Sequence, residues 1–263
     1  SCLGILVTGV VITIIVIASV ASLFSDAIKM KTTPTTALKE NTVLRINLNA
    51  DIKERGVNNP FGDLDLGPFM PKSTIGLNDI IQSLKNAKTD ANIKGIYLEV
   101  SDPEAGFGTI EEVRQALLDF KTSGKFIYAY AEGYSQKAYY LASTANKLYL
   151  NPQGSIEIKG LSSQIMFYKK MLEKLNVEVQ IFRHGKFKSA IEPFMLDKMS
   201  DANREQVEIY LGSLWGHMVS GIGKSRKISV NEINDMANNL SIRNPEDALK
   251  YNLVDALKVK NWK

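Results

Sequence analysis

Cysteine and histidine are nearly absent: one thiol, Cys2, and two imidazoles, His184 and His217, in 263 residues. A lone cysteine excludes an internal disulfide and any Cys-based zinc cluster, and two histidines are too few for a histidine metal site. No metal and no organic cofactor is expected. An excess of one charge is also lacking. The 32 basic and 28 acidic residues leave a net +4, spread along the chain without the basic blocks and interleaved aromatics of a nucleic-acid groove. No nucleic-acid partner is expected. What remains is a chain with 44% hydrophobic residues, enough to bury a core in one large domain or two small ones.

Leu3 to Phe24 (LGILVTGVVITIIVIASVASLF) is free of charge. At about 1.5 Å per helical residue it spans a bilayer core of about 30 Å. That length exceeds the apolar region of a cleaved signal, about 7 to 15 residues, so residues 3–24 are expected to be a transmembrane anchor. The chain opens at Ser1 rather than Met, so it is read as a fragment whose preceding flank is missing; the positive-inside rule then gives no orientation. Cys2 at the membrane edge is expected to be an unmodified thiol rather than an acylated one. Residues 25–41, polar, Thr-rich and broken by Pro34, read as a stalk, and residues 42–263 as the folded domain.

Within that domain Val43 to Leu48 alternates like a strand, and Asp51 to Ser73 is rich enough in Gly, Pro and Asn to be a long surface loop. A regular alternation follows: helix Leu77 to Ala87, strand Gly95 to Val100, helix Ile110 to Ser123, strand Phe126 to Tyr130, helix Ser135 to Ala145, strand Lys147 to Leu150. This βαβ rhythm predicts an α/β fold on a largely parallel sheet. The second helix is signalled by a Thr109-x-x-Glu112 capping box, a stripe of Ile110, Val113, Leu117 and Phe120, and Gly124 as its stop. Beyond a turn at Pro152 and Gly154 the pattern predicts a helix at Met166 to Leu175 and a strand at Val177 to Phe182. A long helix follows from Asp201 to Gly221, then one capped by Ser229-x-x-Glu232, and a last one from Pro245. No internal repeat is visible.

The segment with chemical content is His184-Gly185-Lys186-Phe187-Lys188-Ser189-Ala190-Ile191-Glu192-Pro193-Phe194, directly after VEVQIF. Loops beyond the carboxyl ends of strands are the usual place for a site in α/β sheets. A lysine serves as general base only when its pKa falls from about 10.4 toward 7 or 8, which an apolar wall achieves by penalising the ammonium form. Phe187, Ala190, Ile191 and Phe194 could supply that wall. On this chemistry alone, Lys186 and Lys188 read sooner as two solvated loop charges than as a base and its neighbour. Ser189 and Glu192 read as orienting Lys188 or as capping the turn locally. Ser101 to Gly108 (SDPEAGFG) has two glycines after a strand, but completes no nucleotide fingerprint.

GKFKSAIEPF, with YYLASTANKLYLNPQGSIEIKG before it and DKMSDANREQ after it, resembles the amino-terminal half of the long form of signal peptide peptidase A, also called protease IV. The resemblance runs from the membrane helix to the end of the chain. It implies a crotonase-like (ClpP-like) α/β domain, one of two diverged copies in one polypeptide, in which this copy supplies a general-base lysine and the carboxy-terminal copy a serine. Lys188, directly before Ser-Ala, matches that lysine. Lys186 is then a neighbour whose like charge could help depress it. The catalytic copy carries its serine in an S-G-G-Y pattern; here the aligned stretch is Tyr134-Ser135-Gln136-Lys137-Ala138-Tyr139, with Lys137 in the nucleophile's slot. Ser135 and Ser143 then read as capping or packing serines. Ser101 to Gly108 lacks the Gly-Gly pair of an oxyanion turn. The resemblance further implies peptide substrates (remnant signal peptides and unfolded apolar segments), a homo-oligomer, and a single-pass protein of the bacterial inner membrane with its catalytic body on the periplasmic side. The alternatives are a non-catalytic crotonase-like scaffold at the membrane and, on the same fold, acyl-CoA chemistry.

Overall fold

The computed structural model describes residues 14–15, 38–57, 74–182, 184–185 and 187–260. The expected anchor and stalk therefore lie outside the described residues, apart from helical Ile14 and Ile15 and the last stalk residues, and so do residues 58–73 of the expected loop. Among the described residues no helix is long and apolar enough to cross a membrane.

Strand β1 (Thr42–Asn47) is followed by two short strands, β2 (Ile52–Lys53) and β3 (Ile75–Gly76), then α1 (Leu77–Thr89), β4 (Ile93–Glu99), α2 (Phe107–Lys121), β5 (Phe126–Tyr134), α3 (Gln136–Ala142) and β6 (Lys147–Ile156). After β6 come α4 (Lys169–Lys174), a 3-10 turn at Ser189–Ile191, α5 (Glu192–Met195), α6 (Asp201–Arg226), α7 (Val230–Asn238), α8 (Pro245–Lys250) and β7 (Ala256–Leu257). The main sheet runs β1-β4-β5-β6-β7, and each neighbouring pair is parallel. Parallel neighbours need crossover connections, and right-handed crossovers progressing in one direction put their helices on the same face. Accordingly α1 packs on α2 and α2 on α3.

Alternation along the strands sorts the two faces. Ile96, Leu98, Ile127, Ala129, Leu148 and Leu150 are buried against the helical layer, where Ile110, Val113, Leu117 and Phe120 of α2 meet them. The opposite face carries Tyr97, Tyr128, Tyr130 and Tyr149, with Glu99 paired to Arg45 and to Lys260 of the carboxy-terminal tail at 2.5 Å each. Met218, Val219 and Ile222 bring the last turns of α6 into the same core.

Three expectations are corrected here. Helix α2 starts three residues before Ile110, with Gly106 at its N-cap and no side-chain cap, so Thr109 and Glu112 lie inside the helix instead of boxing its end. The turn at Pro152 and Gly154 does not form: β6 continues through both residues and pairs Gly133 with Ser155 after a register shift. Such an irregularity tolerates a proline without an N–H, and Gly154 fits because a Cβ there would collide with the Glu132 carbonyl oxygen. Residues 177–182 form no strand. A strand needs a neighbour to take its backbone hydrogen bonds, and the sheet offers these residues none, leaving Val177, Val179 and Phe182 exposed.

Candidate active site

Lys188 does not stand at a strand end. It is the exposed residue immediately before the 3-10 turn at Ser189–Ile191. Around it Phe182, His184, Phe187, Ser189, Ala190 and Ile191 line an open hollow of about 390 Å³. The expected apolar wall is present in composition but open to water: Phe187, Ala190 and Phe194 are exposed, Ile191 is half-buried, and Phe182 is 93% exposed. Lys186, the expected neighbour, lies outside the described residues.

The backbone that carries Lys188 is firmly tied a few residues later. Glu192 is 1% exposed, and its carboxylate accepts hydrogen bonds from the Ser200 hydroxyl (2.5 Å), the Ser200 N–H (3.1 Å) and the Asn203 side-chain amide (2.9 Å). Ser200 is itself the N-cap of α6, accepting from the Asn203 N–H at 3.2 Å. A buried carboxylate at a helix amino terminus is favoured both by those donors and by the helix dipole. The Pro193 carbonyl accepts from the Tyr168 N–H at 2.6 Å, and the Phe194 ring stacks on Tyr168 with centroids 5.9 Å apart. Glu192 thus ties this segment to the first turn of α6. Ser189 is half-buried at the start of the 3-10 turn.

The positions aligned with a serine and an oxyanion turn are occupied otherwise. Ser135 is the N-cap of α3, its hydroxyl accepting from the Ala138 N–H at 3.3 Å. Ser143 is fully buried and accepts from Arg114 at 2.8 Å. Both are structural, as the sequence suggested. Lys137, in the nucleophile's slot, donates to the Ala105 carbonyl at 2.8 Å and stands 5.6 Å from the Phe107 ring centroid. The Ser101–Gly108 turn is also engaged with the body: the Glu104 N–H donates to the Ala50 carbonyl and the Ile52 N–H to the Glu104 carbonyl. Lys137 and the neighbouring turn are thus both tied to the body by backbone carbonyls.

A second polar cluster was not foreseen. Arg114 is buried, its guanidinium donating to the Tyr140 carbonyl, to Ser143, to the Gly221 carbonyl (2.7 Å) and to Ser225 (2.7 Å), and lying 4.2 Å from the Tyr140 ring centroid. Burial pulls its pKa below the usual guanidinium value. Beside it Glu111 accepts from the Tyr140 hydroxyl (2.6 Å) and Gln115 (2.6 Å) and faces His217 at 3.1 Å. Burial would raise the Glu111 pKa, but those hydrogen bonds prevail and hold it below the ordinary glutamate value. One signal was readable: Arg114 lies at i+4 from Ile110 and i−3 from Leu117, on the apolar stripe itself. Among the described residues no group of three or more His, Cys, Asp or Glu could hold a metal.

One parallel sheet, a helical layer on one face, and a tethered segment beyond it fit a ClpP-like α/β domain. The chain belongs to peptidase family S49, which residues 119–261 match. It is 38% identical to Protease 4 of Salmonella typhi over 189 residues, which is 69% of this chain and 31% of that protein. With Protease 4 of Haemophilus influenzae it shares 38% identity over 64% of this chain and 27% of that protein. The chloroplastic serine protease SPPA of Arabidopsis thaliana is 32% identical over 62% of this chain and 24% of its own length. The chain thus spans about a third or less of the length of these relatives.

Proposed function

We propose that this chain is the lysine-bearing half of a membrane-tethered Ser/Lys peptidase. Lys188 removes the proton from a serine carried by a carboxy-terminal half of the same polypeptide; the alkoxide attacks the scissile carbonyl of a peptide, and an acyl-enzyme forms. The substrates are remnant signal peptides and other unfolded apolar segments. The anchor at residues 3–24 keeps the enzyme beside them in the bacterial inner membrane, with the body on the periplasmic side, and the protein works as a homo-oligomer.

The observation that carries this reading is the contrast within one short segment: a backbone fixed by buried Glu192 presents Lys188 at an open hollow with exposed Phe182 and Phe187 beside it. Apolar side chains left in water at a well-anchored site suit a surface that another domain covers. Coverage would also supply the dry wall that a lysine base needs. Lys137 in the nucleophile's slot agrees with a serine contributed from elsewhere. In the full-length protein Lys188→Ala should lower kcat on an unfolded peptide substrate by about 10²- to 10⁴-fold while the protein remains folded.

The second reading, a scaffold that assembles a partner at the membrane, is favoured by the exposure of Lys188 and the absence of a serine at the aligned position. Full activity in the Lys188→Ala protein would establish it over the peptidase reading. The intact mass of the natural polypeptide separates them further, since a mass near twice 29.2 kDa accommodates a second half.

A further inference from the structure

We propose that Glu192 is the positioning residue for Lys188, acting through its attachment to the first turn of α6; this rests on Lys188 being the general base. The carboxylate is buried in a nest of donors: Ser200 gives its backbone N–H and its hydroxyl, and Asn203 its side-chain amide, at 2.5 to 3.1 Å. Those donors belong to the amino-terminal turn of a helix that runs on for 26 residues into the core. Between Lys188 and Glu192 lies one 3-10 turn, Ser189–Ile191, so the lysine's main chain is separated from a rigid anchor by a single tight turn. On the far side the Pro193–Tyr168 hydrogen bond and the Phe194–Tyr168 stack hold the same segment from α4's side.

The chemistry of the anchor explains why a carboxylate is used there. An ionised carboxylate accepts only, and each of these three groups donates, so donors and acceptor match without a competing proton. The Ser200 N–H and the Asn203 amide share one carboxylate oxygen, Oε2, and the Ser200 hydroxyl takes Oε1; an alanine at 192 removes both oxygens and leaves all three donors without this acceptor, whereas a glutamine keeps an oxygen for the first two. The cost is local to the junction between the 3-10 turn and α6. Its effect on Lys188 is a shift in where the amine stands, and a misplacement on the order of 1 Å costs about 10²-fold in rate.

The test uses the full-length protein with an apolar peptide substrate. Glu192→Ala should lower kcat about 10- to 100-fold with KM little changed. Glu192→Gln, which keeps an oxygen for the Ser200 N–H and the Asn203 amide, should recover most of that loss. Unchanged kinetics in Glu192→Ala would overturn the proposal, and so would a kcat loss that Glu192→Gln does not recover although its melting temperature is restored. If Glu192→Ala fails to fold, Asn203→Ala, which removes one donor, carries the same decision through a smaller loss of kcat at unchanged KM. Full activity in Lys188→Ala would instead remove the reading beneath, and loss in Lys188→Ala with intact kinetics in Glu192→Ala would remove only this inference.

Discussion

The body of the domain and the segment from residue 159 to 200 handle apolar side chains in opposite ways. In the body Phe120, Leu117, Ile127 and Leu148 are fully buried between the sheet and the helices, and even a guanidinium, that of Arg114, is enclosed by backbone and hydroxyl oxygens. In the segment Met166, Met171, Leu175, Val177 and Phe182 stand in water, and the group enclosed is a carboxylate at the rim of α6. The body satisfies itself. The segment is tied down at its backbone and left open at its side chains, which is the division expected where a scaffold is rigid and the chemistry is completed at a surface.

Removing Arg114 should be among the largest losses in the body. Arg114→Ala takes the guanidinium from the Tyr140 and Gly221 carbonyls and from the Ser143 and Ser225 hydroxyls; Ser143 still donates to the Tyr140 carbonyl, but the loss of a buried charged donor and of its packing should cost about 4 kcal/mol, read from urea unfolding of the full-length protein. The contrast between regions is sharpest in two phenylalanines. Phe120→Ala should cost about 3–5 kcal/mol through the cavity it leaves, whereas Phe182→Ala should change stability by less than about 0.5 kcal/mol and, on the peptidase reading, still reduce turnover. A stability loss at Phe182 as large as that at Phe120 would break the comparison.

Two helix caps refine it. Ser229 closes a capping box with Glu232 at the surface of the body, so Ser229→Ala should cost about 1 kcal/mol. Ser200 caps α6 and also donates to buried Glu192, so Ser200→Ala should cost about 1 kcal/mol more in the same titration. The smallest effect concerns acid. Hydrogen bonds from Tyr140, Gln115 and His217 outweigh burial and lower the Glu111 pKa, so its contribution to stability is present above the ordinary glutamate value and is lost as pH falls through the depressed one. Tyr140→Phe removes one of those donors and should shift acid unfolding to higher pH.

Much of the body was legible because local and global signals agree there. The stripe of Ile110, Val113, Leu117 and Phe120 faces the core, the alternation of β1 shows in its burial, and the Ser229 cap closes its helix. The errors fall where the same local pattern has two outcomes. Thr109 and Glu112 have the spacing of a capping box, yet the apolar Phe107 extends the helix toward its amino terminus and Gly106 takes the cap. Pro152 and Gly154 look like a turn, but β6 needs their positions to pass a register shift beside Glu132. VEVQIF has a strand's alternation without a strand beside it. Of the site, Lys188 was visible only through a resemblance. The anchoring role of Glu192 depends on Ser200 and Asn203, eight and eleven residues away, and spacing alone does not announce that contact.

Helix α6 links the two regions as a lever. Its 26 residues make a rod of about 39 Å, with Met218, Val219 and Ile222 clamped in the core near one end and the Glu192 anchor at the other. A rod of that length converts angle into displacement: a tilt of about 5° at the clamped end carries the free end through about 3 Å, roughly the length of one hydrogen bond. The packing around Gly221 and Gly223, where added Cβ atoms would meet the Tyr140 ring and the Ile228 carbonyl, therefore sets where the far end of the rod carries Ser200 and the buried carboxylate it holds, groups that those glycines never touch.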